Sequence, residues 1–132
     1  MKIYDFEMKE QLIKRNRQLV FEVIDLIDDM PKSMVNSVFA RQLIRSSSSV
    51  GANYRAACRA KSQADFTNKL KIVEEELDES IYFMELLQYA TKGKFDQVLN
   101  KLSEEADELL SIYVASINTA KRNKNLKSKI SK

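Results

Sequence analysis

Apolar residues recur at three- and four-residue intervals along most of this chain, in four blocks separated by short breaks. That period belongs to helices with one apolar face. In the first block Leu12, Leu19, Val20, Val23, Ile24, Ile27 and Met30 keep the spacing, which predicts a helix from about Asp5 to Asp29. Pro31 stops it, because proline disfavours helical geometry in the preceding residue and cannot donate a backbone hydrogen bond, so Pro31-Lys32-Ser33 reads as a turn. A second helix follows from about Met34 to Ala60, with Phe39, Leu43, Ser47, Val50, Tyr54 and Ala57 on one side. Ser62 and Asp65 are spaced as a cap and a first-turn acid, and open a third helix that reaches Ala90, with Gly93 placed to end it. The fourth block sets Phe95, Val98, Leu99, Leu102, Ala106, Leu109, Tyr113, Val114 and Ile117 on one face.

Four helices of similar length joined by short loops must run antiparallel to their sequence neighbours. The expected fold is therefore all-α, an up-down-up-down antiparallel four-helix bundle. Composition agrees: 44% of the 132 residues are hydrophobic, while two glycines and one proline leave little to interrupt long helices. The chain is long enough to bury a core without disulfides or a structural metal. Residues 1–120 read as the bundle domain. Residues 121–132 hold six Lys or Arg and no acid, so the net charge of +3 is concentrated there. This basic tail is too polar to pack; its first turn is expected to continue helix 4 and the remainder to be mobile.

The lone Cys58 cannot form an intramolecular disulfide, and no apolar run approaches the roughly 20 residues of a membrane span. The N-terminal segment carries acids where a signal peptide has its apolar stretch. A soluble, cytoplasmic protein without a membrane role is expected. A di-iron site of the ferritin kind requires Glu-x-x-His pairs, and the chain contains no histidine. Cys58 has no histidine to activate it, and no glycine-rich phosphate loop is present. No metal, no cofactor and no enzymatic activity are expected. The acids Glu74, Glu75, Glu76, Asp78 and Glu79 fan round helix 3 and read as a solvated or ion-paired face.

Helix 2 is the unusual segment. At about 100° per residue, Arg41, Arg45, Arg55 and Arg59 fall on one outward stripe with Ser48 and Ala52 between them. Planar guanidinium groups separated by small residues suit close approach to phosphates or carboxylates. A charged stripe on a helix is most often simply its wet face, and these arginines can also pair with the acids of helix 3. The run Ser46-Ser47-Ser48-Ser49-Val50-Gly51 is poor helix material and needs compensation, either by close packing of a neighbour near Ala40, Gly51 and Cys58 or by a kink. On helix 3, Phe66, Leu70, Val73, Leu77, Ile81 and Met84 make one face. Ile72, Tyr82, Phe83 and Leu86 point elsewhere, which suggests an interface with another subunit or scattered surface residues.

In order and in register over about half the chain, several blocks resemble the bacterial four-helix bundle proteins encoded within 23S ribosomal RNA intervening sequences. They are Gln42-Leu43-Ile44-Arg45-Ser46, Ser49-Val50-Gly51-Ala52-Asn53-Tyr54-Arg55, Ala57-Cys58-Arg59-Ala60-Lys61-Ser62, Ala64-Asp65-Phe66 and Glu76-Leu77-Asp78-Glu79-Ser80. Ala56 stands where that family has a glutamate, so an ion pair from this position is not expected. The resemblance implies a ring-like homopentamer with no established enzymatic activity. It extends to the accessory proteins of diversity-generating retroelements, which resemble the same bundle and bind nucleic acid and a reverse transcriptase through a positive surface.

The leading expectation is a non-enzymatic homo-oligomer that associates with RNA or DNA. Arg41, Arg45, Arg55 and Arg59, helped by Lys121, Arg122 and Lys124, would contact phosphates nearly independently of sequence. The competing expectation is a scaffold that binds a protein partner and has no nucleic-acid role.

Overall fold

The structure is a computed structural model and describes residues 3–131. Its four helices are α1 (Ile3–Asp29), α2 (Met34–Cys58), α3 (Gln63–Ala90) and α4 (Asp96–Ser131). Each packs on its neighbours in the cycle α1-α2-α3-α4, α2 against α3 most extensively and α1 against α4 most sparsely, while across the diagonal the rings of Tyr54 and Tyr113 meet with centroids 5.2 Å apart. This is the antiparallel four-helix bundle that the periodicity implies.

The breaks form where the local chemistry demands them. After Pro31, the Ser33 hydroxyl accepts from the Asn36 N–H at 3.1 Å, and the Asn36 amide donates back to the Pro31 carbonyl at 3.0 Å. Ser62 caps α3 in the same way, accepting from the Asp65 N–H at 3.0 Å. Past Ala90 the Thr91 hydroxyl donates to the Leu87 carbonyl at 2.7 Å, and Lys92 and Gly93 both turn left-handed, with φ of 55° and 77°. Glycine takes that conformation freely, whereas Lys92 does so against its side chain.

Leu19, Val23, Leu43, Val50, Leu70, Val73, Leu77, Met84, Leu99 and Leu109 are fully buried along the axis. Each such side chain contributes roughly 1.5–3 kcal/mol. The serine run is compensated by close packing, and α2 continues through it as helix. Ser46 and Ser47 are buried; the Ser80 hydroxyl donates to Ser46 Oγ at 2.8 Å, and Ser46 donates to the Leu43 carbonyl at 3.3 Å. On the other flank of α2, a Cβ built on Gly51 would lie 3.5 Å from Asn16 Cβ, so α1 comes close there.

Four details differ from the sequence reading. The second helix ends at Cys58 and not Ala60, since Arg59 and Ala60 close with three-residue hydrogen bonds to Ala56 and Ala57. Ile24 is exposed, lying about 120° from the centre of the buried stripe, and Val98 is exposed in the first turn of α4. A polar residue, Asn16, occupies a core position, where its carbonyl accepts from the Tyr113 hydroxyl at 2.8 Å while its Nδ2 has no partner. The basic segment is helical through Ser131, well beyond the first turn expected for it, and every side chain from Lys121 to Lys129 is exposed. That segment contains neither glycine nor proline, and lysine, arginine and leucine are good helix formers.

Candidate nucleic-acid interface

All four arginines of the α2 stripe are exposed, as that reading requires, but their surroundings divide them. Arg45 is engaged by the neighbouring helix: its guanidinium lies 2.6 Å from Glu79 and 3.3 Å from Glu76, and its Nε donates to Gln42 at 3.2 Å. The hydrogen bond to Glu79 is the main reason its pKa is pushed up. Glu76 is the more buried of the two carboxylates, and desolvation raises its pKa although Arg45 pulls it down. Among the described residues, no carboxylate lies within ion-pair distance of Arg41, Arg55 or Arg59. Arg41 borders a cleft between the end of α1 and the start of α2, beside Asp28, Lys32 and Ile44.

Topology sorts these groups along the bundle axis. The end of α2 and the end of α4 lie at the same pole, so Arg55, Arg59 and Lys61 share it with Lys121, Arg122, Lys124, Lys127 and Lys129. Arg41 stands about 21 Å lower on α2, fourteen residues from Arg55 at the helical rise. Lys121 also flanks a groove between α3 and α4, floored by Leu110, Val114 and Ile117 and walled by Lys71, Glu74, Glu75 and Asp78. The opposite pole is mixed, with Asp25, Asp28 and Asp29 in the last turns of α1 and Asp96 at the start of α4 beside Lys32, Lys92 and Lys94 in the turns. Sequence reasoning missed Lys61, although its place in the turn after α2 follows from an up-down topology.

The residues expected at a subunit interface also divide. Ile72 and Tyr82 are exposed. Phe83 and Leu86 are half-buried: Phe83 packs against the core with its ring centroid 6.3 Å from that of Phe39, and Leu86 borders an apolar groove with Val35, Phe39 and Tyr89. Among the described residues, the most exposed apolar side chains are Tyr89 at 89% and Met34 at 84%, both at the pole opposite the basic end of α4. Periodicity missed them because they lie at helix ends, where a face ceases to be defined.

Cys58 is half-buried beside Tyr54, and burial pushes its thiol pKa up, away from the thiolate. Burial likewise raises the phenols of Tyr54 and Tyr113. Among the described residues, no group of three or more His, Cys, Asp or Glu is arranged to hold a metal, and no helix is long and apolar enough to cross a membrane.

A family model described as 23S rRNA-intervening sequence protein matches residues 8–115. A crystal structure of a protein with unknown function from the S23 ribosomal protein family of Bacteroides thetaiotaomicron is similar with a TM-score of 0.71. At 24% identity the match covers 80% of this chain and 97% of that one, a likeness of fold. No curated protein matches the chain.

Proposed function

The chain belongs to the family of 23S rRNA-intervening sequence proteins, and from that premise we propose that it is a non-enzymatic, cytoplasmic homo-oligomer that associates with RNA or DNA through its basic surface. The observation that carries this reading is the state of the α2 arginines. Arg41, Arg55 and Arg59 are exposed with no carboxylate of the described residues at ion-pair distance, and two of them share a pole with the basic end of α4. Guanidinium groups left open in this way can donate to phosphate oxygens in pairs without first breaking an internal ion pair. Arg45, already held by two carboxylates, has a lesser part. The exposed Ile72, Tyr82 and Tyr89 support self-association, with the pentamer that the family resemblance implies as the expected state.

Binding to generic RNA and duplex DNA, followed by anisotropy across a salt series, tests the proposal. Affinity is expected to fall steeply with salt, and Arg41→Ala/Arg55→Ala/Arg59→Ala to lower the slope by about 0.9 for each phosphate no longer neutralised. Light scattering on the same samples reports whether the oligomer persists. If the wild type binds neither nucleic acid at moderate salt, the reading falls. A protein-binding scaffold then takes its place, favoured by the apolar groove of Val35, Phe39, Leu86 and Tyr89.

A further inference from the structure

α4 is 36 residues long, whereas its partners run to 27, 25 and 28. Among the described side chains its last buried one is Ala120. The eleven residues from Lys121 to Ser131 therefore project beyond the core as about three turns of helix, roughly 16 Å long. Lysine or arginine occurs at 121, 122, 124, 127 and 129, spread round the cylinder, with Asn123 and Asn125 between them and no acid. At the same pole Arg59 and Lys61 follow the end of α2, which sits diagonally across the bundle, about 11–14 Å from the α4 axis at ordinary helix spacings.

Resting on the nucleic-acid reading above, we propose that the partner is double-stranded DNA of the B form, with the projecting end of α4 inserted in the major groove and Arg55, Arg59 and Lys61 seated on the flanking phosphates. A helix with its side chains is about 10–12 Å across, and the B-form major groove is about 12 Å wide. The major groove of an RNA duplex is deep and too narrow to admit it. Single strands are held largely by bases stacked on aromatic rings. Among the described side chains, the only exposed aromatic ring at this pole is Phe6, with Lys9 Nζ 5.8 Å from its centre, and one ring makes no stacking platform for successive bases. Lysines on all sides of the projecting helix can reach both phosphate walls at once, whereas Asn123 offers its amide to base edges. An isolated three-turn helix is marginal in water, so the groove also supplies the surroundings that hold it folded.

The test is anisotropy of one sequence prepared as DNA duplex, RNA duplex and single strand, with the full chain, an Asn125→Pro chain and an Arg55→Ala/Arg59→Ala chain. Asn125→Pro keeps every charge and breaks only the projecting helix, and circular dichroism checks that the bundle persists. The expected order places DNA duplex tightest, with Asn125→Pro weakening it about tenfold and leaving the single strand unchanged, because proline removes the helix and not the charge. Equal DNA-duplex binding by wild type and Asn125→Pro, or RNA-duplex binding as tight as DNA, overturns the inference. If Arg55→Ala/Arg59→Ala abolishes binding while Asn125→Pro keeps it, the basic-surface reading survives and groove insertion does not. If the wild type binds none of the three, both fall.

Discussion

Between α2 and α3 the closest approach runs over small side chains, with Ser46 facing Ser80 at 2.8 Å and an exposed Arg45–Glu79 pair closing the outside. Between α1 and α4 the bridging groups are long. Tyr113 reaches Asn16 through the core, and Arg15 reaches Glu105 at 2.6 Å and Glu108 at 3.1 Å from the edge. The first seam depends on the absence of volume and the second on particular polar atoms. Added bulk should therefore damage one, and missing hydrogen bonds the other.

The largest effect is expected from Ser80→Leu. Its extra methylenes have nowhere to go against buried Ser46, and a loss of about 2–3 kcal/mol is expected in urea unfolding. A loss below about 1 kcal/mol would show that the α2–α3 seam has slack, and the contrast would disappear. Next comes Tyr113→Phe, which strands the Asn16 carbonyl beside an Nδ2 that already lacks a partner and should cost about 1–2 kcal/mol. Replacing both polar partners, in Asn16→Leu/Tyr113→Phe, should recover most of that loss. A double variant no better than Tyr113→Phe alone would mean that fit, and not polarity, holds α1 to α4.

The smallest effect near neutral pH is expected from Arg45→Ala, because the pair is exposed and largely solvated. Its signature is a pH dependence. Burial holds the Glu76 pKa above its unfolded value, so the stability linked to this group is fully present below the unfolded pKa and lost as pH rises through the folded one. Arg45 opposes that shift, so its removal should steepen the loss of stability through and just above the ordinary carboxylate range. Urea midpoints of both proteins at several pH values measure it; parallel curves would show that Arg45 does not tune Glu76.

Much of the architecture was legible because local chemistry writes it directly. Pro31, the Ser62 cap and left-handed Gly93 act on their own neighbours, and buried stripes repeat within each helix. The core role of Asn16 was not legible, since its partner Tyr113 stands 97 residues away. The arginine stripe was legible as geometry. Which of its members would be neutralised depended on where α3 places Glu76 and Glu79. The helical end of α4 departs from the expectation because helix propensity, with no proline or glycine to interrupt it, outweighs the repulsion of its charges.

The gathering of positive charge at one pole has a consequence for motion through solution. A body with an excess of lysine and arginine at one tip and nearly balanced charge at the other carries an electric moment along its long axis. Close to a polyanion it experiences a torque as well as an attraction. It would turn its basic tip forward before touching, once within a distance set by the ionic atmosphere, about 8–10 Å under physiological conditions. The alignment of the encounter is thus written into the order of the helices.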